Sequence, residues 1–361
     1  MDMNMVNHEK LAKLRGHILS LGYQSILLMR SSNFAWLTDG AQSVVGIASD
    51  IGSSFILVTQ KTALVLTTNI EKKRLIEEEG FLENEIVSIS WERGVLSLAQ
   101  EYINPGLACD YSFFNSPDIN SSLSLLRINL TSSDQNQYID LGMLAAKSMD
   151  SVPALIKPGM SEIEISSILA GECIKNGIFP IVNLIAVDER VFAYGHPLPT
   201  NKKLKNYVVL ILCARKKGLV VSMTRFIHFG KVPLELKFNM HKIIEVDAEI
   251  ARALVPGITL GNLYLRIKDT YAAVGLAGNE KFHHQGGIAG YVSREFLVTS
   301  TSEVQIEHGQ ALAFNPSAKG AKSEETLLFT TQGLKILTQT AHWPLWEYKN
   351  IVRADILEIL H

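Results

Sequence analysis

Histidine is the side chain best suited to carry a proton at neutral pH, and three of the ten histidines stand out by their surroundings. His196 lies in Tyr194-Gly195-His196-Pro197-Leu198-Pro199-Thr200, and His283 and His284 are adjacent in Phe282-His283-His284-Gln285-Gly286-Gly287. Taken alone, His196 reads as a surface histidine in a turn stiffened by two prolines. The His283-His284 pair reads as a strand end with one ring facing in and one out, because neighbours on a strand project to opposite faces. Adjacent histidines are for that reason weak evidence of a metal site. Glu324-Glu325 supplies carboxylates that fit either a site or ordinary surface charge. Gly286, Gly287 and Gly290 suit a bulge or a close approach of backbone. Cys109, Cys173 and Cys213 are few, odd in number and widely spaced, so they read as small buried hydrophobes in a reducing compartment rather than as a disulfide framework or as nucleophiles.

The elements that must hold these residues fall into two parts. The chain has 361 residues, 47% of them hydrophobic and 19% charged, a profile of folded domains whose length calls for two cores. Leu11–Leu21 has helical spacing and stops at Gly22. Strand patterns at Ser25–Met29, Phe55–Thr59, Ala63–Thr67 and Glu85–Ile89 and a charged amphipathic helix at Glu71–Gly80 give a small α/β domain. A polar linker, Thr131-Ser132-Ser133-Asp134-Gln135-Asn136, places the boundary near residue 128, with domains at 1–128 and 129–361. In the second part Leu155-Ile156-Lys157-Pro158-Gly159-Met160-Ser161 is echoed by Ala253-Leu254-Val255-Pro256-Gly257-Ile258-Thr259. Each copy ends one helix at Pro-Gly and caps the next with Ser or Thr. The repeat predicts two similar halves with a site between them.

A formal charge of −2 gives no electrostatic case for nucleic acid or an anionic membrane surface. Basic runs such as Lys202-Lys203-Leu204-Lys205 read as solvated turns. The N-terminus lacks the apolar stretch of a signal peptide, and no run of apolar residues is long enough to span a bilayer, so a cytoplasmic location is expected.

Val209–Arg225, VLILCARKKGLVVSMTR, is a hydrophobic hairpin turning at Lys216-Lys217-Gly218 and ending in Ser222-Met223-Thr224-Arg225. It resembles the hairpin of the pita-bread metallopeptidases (aminopeptidase P, prolidase, methionine aminopeptidase), which ends in Asp-x-Thr-Arg. The resemblance extends to Ser31–Gly40, which is similar to a segment of the N-terminal domain of creatinase and prolidase, and so covers nearly the whole chain. It implies an α/β N-terminal domain followed by an α+β pita-bread domain of the creatinase/aminopeptidase type with pseudo-two-fold symmetry. In those peptidases five positions hold two divalent metals. The resemblance sets Ile211, Ser222, Gly287, Asn315 and Glu324 at those positions, of which Glu324 alone is of the family's ligand type. A dinuclear site needs several carboxylates to offset its charge, so no catalytic metal and no other cofactor are expected.

The same resemblance implies that His196 and His283 are pocket histidines and that Arg294 replaces a third. The expected catalytic residues are His196, His283 and Glu324. The expected substrate-binding residues are Arg294, Asn315, Ser222 and His284. Two imidazoles, a carboxylate and a guanidinium suit anion binding or proton transfer without a metal. The leading expectation is a metal-independent C–N hydrolase in the manner of creatinase, acting on a small amino-acid-like or peptide substrate. Its general acid–base would be His196 tuned by Glu324, with Arg294 on a substrate carboxylate. The alternatives are a catalytically silent protein that binds a peptide or small molecule, and an Xaa-Pro aminopeptidase or dipeptidase with an atypical metal site. Family relatives with this N-terminal domain imply a homodimer.

Overall fold

A computed structural model describes residues 5–360, which form two compact units, 5–129 with 217–219, and 130–216 with 220–360. In the first unit, α1 (His8–Ser20) is capped by the Asn7 side chain and followed by Gly22 at φ +86°. A five-stranded sheet runs in the order β4-β3-β2-β1-β5, from β1 (Ser25–Arg30), β2 (Ile51–Thr59), β3 (Ala63–Thr68), β4 (Ile86–Ile89) and β5 (Leu107–Cys109). The outer strands β4 and β5 pair in parallel, and β1-β2 and β2-β3 are antiparallel. The helices α2 (Ser31–Leu37), α3 (Asn69–Glu77), α4 (Val95–Gln100) and α5 (Asn120–Arg127) connect or flank the strands. Leu27, Met29, Phe55, Leu57, Leu66 and Leu107 form the core of one face. Asn33, inside the segment singled out at Ser31–Gly40, is fully buried and donates to Asp110 at 2.7 Å.

The second unit is built twice. The helix α6 (Ser132–Ser151) leads through Pro158-Gly159 to α7 (Glu162–Lys175), and α9 (Leu234–Ala253) leads through Pro256-Gly257 to α10 (Leu260–Ala273). Ser161 caps α7 by accepting from the Glu164 N–H, and Thr259 caps α10 by accepting from the Asn262 N–H. Both cap regions are then sewn to a distant strand segment by the same ladder. Gly159, Glu162 and Ile163 donate to the carbonyls of Leu204, Lys202 and Thr200, while Gly257, Leu260 and Gly261 donate to those of Ile306, Val304 and Ser302. Matched hydrogen bonds of this kind are the pseudo-two-fold symmetry expressed in backbone.

Each half contributes a sheet. One runs β18-β8-β7-β6, from β6 (Phe179–Val187), β7 (Tyr207–Lys216), β8 (Leu219–Phe229) and β18 (Leu357–Ile359); the other runs β10-β9-β11-β14-β15, from β9 (Gly286–Ala289), β10 (Phe296–Leu297), β11 (Ala311–Phe314), β14 (Glu325–Thr330) and β15 (Gly333–Ile336). A short helix, α8 (Glu189–Ala193), and two small hairpins, β12 (Ser317–Ala318) with β13 (Ala321–Lys322) and β16 (Leu345–Tyr348) with β17 (Ile351–Ala354), complete the unit.

The two sheets meet along β8. Val220 donates to the Gly290 carbonyl at 3.0 Å, Ser222 donates to Thr326 Oγ1 at 2.7 Å, and Thr224 donates to the Glu324 carbonyl at 3.2 Å. Tyr138, fully buried on α6, donates its hydroxyl to the carbonyls of both Val220 and Gly290. Among the described residues no helix is long and apolar enough to cross a membrane.

Candidate functional site

The β7–β8 hairpin places the first site residues. Its two-residue turn, Lys217-Gly218, has φ of +50° and +82°, the conformation that matches strand twist in a tight hairpin. This turn sets Cys213 opposite Ser222, and the Cys213 Sγ lies 3.2 Å from the Ser222 hydroxyl. With a side-chain period of two, Ile211, Cys213, Ser222 and Thr224 then share one face. All four are buried.

Glu324 enters this face from the residue just ahead of β14 and is buried among cations. Its carboxylate meets Lys322 Nζ at 2.8 Å and Arg294 Nη2 at 3.1 Å, and Thr224 Oγ1 donates to it at 2.6 Å. Burial pushes the Glu324 carboxyl upward, but the Lys322 and Arg294 charges and the hydrogen bonds outweigh it and hold the group at about 2. Arg294 also donates to the Ser222 hydroxyl at 3.0 Å and to its neighbour's carbonyl, and its Nε has no partner among the described residues. Asn315, 2% exposed, follows β11 with its Oδ1 unpartnered among the described residues.

The three histidines come together around His283, which lies on the wall of a cavity of ≈440 Å3. Val191, Val209, Ile211 and Phe226 give the cavity apolar walls, and His283 and Lys322 add polar groups. His283 Nε2 lies 3.1 Å from His196 Nε2, and the His283 and His284 rings are 4.4 Å apart between centroids. His283 Nδ1 is 2.7 Å from the His284 carbonyl. A carbonyl only accepts, so Nδ1 carries the proton, and neutral His283 presents an Nε2 lone pair to a donating His196 Nε2–H. His196 is left with a free lone pair on Nδ1. Gly195 makes the approach possible, since a Cβ there would sit 3.2 Å from the His283 ring. Burial and then the Lys322 charge push the His283 imidazole below its usual range; burial and the neighbouring His283 and Arg294 charges bring His284 to about 4.

Three expectations change here. His283 and His284 do not project to opposite sides, because they lie in a loop ahead of β9, and both rings join His196. Glu324 is not the partner of His196: its oxygens are taken by Lys322, Arg294 and Thr224, and His283 fills that place. Arg294 does not stand ready for a substrate carboxylate, because Glu324 and Ser222 already hold it. Two participants were missed. Lys322 is two residues before Glu324, the strand spacing that puts two side chains on one face, and Thr224 was visible inside the Ser222–Arg225 motif. By contrast, Arg225 supports the hairpin as expected, bonding Thr340, Thr338 and its own Thr224 carbonyl and pairing with buried Glu325 at 2.7 Å.

The residues at the positions expected to bind two metals do not fit that group. Ile211 is aliphatic, and the single carboxylate is already neutralised by an ammonium and a guanidinium. Gly287 has φ +154°, and a Cβ on it would lie 1.9 Å from the Phe296 carbonyl oxygen. The backbone there cannot carry a ligating side chain as it stands. Several anionic oxygen ligands would be needed to offset two divalent ions.

The sequence model of metallopeptidase family M24 matches residues 138–331. The chain belongs to this family. Uncharacterized peptidases of Staphylococcus epidermidis and Staphylococcus aureus are each 26% identical to it over 236 residues, or 62% and 61% of this chain. The matches span 66% and 65% of those relatives, just under two thirds of their length. Among solved structures, an Xaa-Pro dipeptidase from Bacillus anthracis superposes with TM-score 0.77 at 18% identity, covering 97% of this chain and 99% of the other. The prolidase of Pyrococcus horikoshii gives 0.78 at 19% identity, covering 92% and 99%. The N-terminal domain of the FACT complex subunit SPT16 from Eremothecium gossypii gives 0.67 at 13%, covering 93% and 97%. The M24 chain described here thus carries the pita-bread fold along nearly its whole length.

Proposed function

We propose that this M24 protein is a metal-independent hydrolase that cleaves a C–N bond in a small amino-acid-like or peptide substrate. The observation that carries the reading is the His196–His283 pair, Nε2 to Nε2 at 3.1 Å, with His283 oriented by the His284 carbonyl. His196 Nδ1 takes a proton from water as the water oxygen attacks the substrate carbon. The developing imidazolium is stabilised through its Nε2–H bond to His283. The proton then passes to the departing nitrogen as the C–N bond breaks, so one base becomes the acid of the next step. Lys319 lines the cavity beside apolar walls, while Lys322 on the same wall is held by Glu324; one available cation beside an apolar surface favours a substrate with a carboxylate and an apolar body.

The test is hydrolysis of a panel of N-substituted amino acids and dipeptides in the presence of a strong chelator. Turnover in chelator is expected, with a loss of about 10²–10⁴-fold in kcat for His196→Ala, the range of a general acid–base. Turnover unchanged in His196→Ala removes the assignment, and manganese-dependent release from an Xaa-Pro peptide restores the metallopeptidase reading. A silent binding protein is the second reading, favoured by Ile211 on the cavity wall and by the paired charges around Glu324. It gains if a ligand is held and recovered unchanged.

A further inference from the structure

We infer that His196, His283 and His284 form a mononuclear site for a transition-metal ion, separate from the positions that hold two metals in related peptidases. One ligand nitrogen from each ring can be chosen so that all three lie within 4.8 Å of one another. The Nε2 atoms of His196 and His283 are already 3.1 Å apart. Tetrahedral zinc with Zn–N bonds of about 2.0–2.1 Å sets its ligands about 3.3 Å apart. An ion therefore takes the place of the proton shared by the two rings. His196 is exposed, so its displaced proton can move to Nδ1, where water solvates it.

The surroundings fit this role. The His283 Nδ1–H bond to the His284 carbonyl fixes the tautomer with a lone pair on Nε2, the outer-shell arrangement usual for metal-ligating histidine. On His284 the Nδ1 atom accepts a long bond, 3.3 Å, from the Gly286 N–H, which leaves the ring weakly engaged. Lys322 is close enough to act on both His283 and His284, and its charge opposes hard cations. Imidazole ligands without carboxylate select zinc, copper or nickel over magnesium, calcium or manganese. Such an ion occupies the Nε2 through which His196 leans on His283, and so suppresses the proton relay proposed above.

The test uses the full chain freed of metal by chelator, titrated with zinc, and with cobalt for its absorption spectrum. One zinc per chain is expected by dialysis and mass spectrometry, with a cobalt spectrum of tetrahedral nitrogen coordination and no uptake of magnesium or manganese. His284→Ala and, at the exposed position, His196→Asn should each weaken zinc binding by at least the ~100-fold that loss of an outer-shell partner costs. Glu324→Gln should leave the stoichiometry at one. No bound zinc, zinc retained by both histidine variants, or two ions per chain lost in Glu324→Gln each overturns the inference. The readout is binding, so it stands apart from hydrolysis: zinc can bind where no substrate turns over, and turnover in chelator can persist where zinc does not bind.

Discussion

At the scale of single residues, Glu324 matters because it is a carboxylate surrounded by the charges that a metal would otherwise supply. Lys322 Nζ and Arg294 Nη2 both bond it in a buried setting. Removing one member of a buried ionic group leaves the others unpaired, at about 3–5 kcal/mol. Lys322→Met and Glu324→Gln should therefore each destabilise strongly. The double variant should be less destabilised than the sum of the two by about 1–3 kcal/mol, the coupling of residues in one network. Additive effects in denaturant titrations would show that the contacts are not an energetic unit. Much of this site was open to reading from residue types. His196, His283, Ser222, Arg294 and Glu324 were expected through a family resemblance; in the structure His196 meets His283, and Ser222, Arg294 and Glu324 meet in a network of their own. What could not be read was the pairing. Which cation meets which anion depends on a few ångströms of strand placement, and no spacing rule ties His196 to His283 across 87 residues.

At the scale of elements, the duplicated Pro-Gly-x-Ser/Thr pattern announced the symmetry correctly because capping is local chemistry. A Ser or Thr hydroxyl satisfies an N–H that the first helical turn leaves open. The short elements of the first unit, α4, β5 and α5, were not anticipated, since segments of three to eight residues show too few turns of periodicity. Glycines 286 and 287 were read as points of close backbone approach, and β9 makes the reason explicit. A Cβ on Gly286 would sit 2.1 Å from the Ala313 carbonyl oxygen, and one on Gly287 would sit 1.9 Å from that of Phe296. Both strands flanking β9, β11 and β10, are thus pressed against it. Gly287→Ala should force β10 off β9 and cost about 3 kcal/mol, which for a unit of this size lowers Tm by about 6–12 °C. Gly287→His, which puts a larger side chain on the same backbone, should be worse still. A Gly287→Ala protein with unchanged Tm would mean that the ladder relaxes without strain.

At the scale of the whole molecule, a homodimer follows from the resemblance alone, and we propose it on that ground. Light scattering should give about twice the 39.9 kDa chain, and a monomer would remove the proposal. The pH dependence of stability has a firmer physical basis. Glu324 is held at about 2 in the folded chain against 4.5 for an ordinary glutamate, so the folded state binds its proton less tightly than the unfolded one. The stability it contributes is therefore complete above pH 4.5 and is lost as pH falls toward 2. Other buried carboxyls act in the opposite sense. Burial raises Glu325 and Asp110, whose stabilising share grows as they take up protons. The total acid limb mixes these signs, but a difference between two proteins isolates one of them. The Tm gap between the wild-type chain and Glu324→Gln should be constant from pH 7 to 5 and should narrow progressively between pH 4.5 and 3. Glutamine cannot titrate, and the other carboxyls cancel in the comparison. A gap that holds its width down to pH 3 would place Glu324 outside the Lys322–Arg294 field.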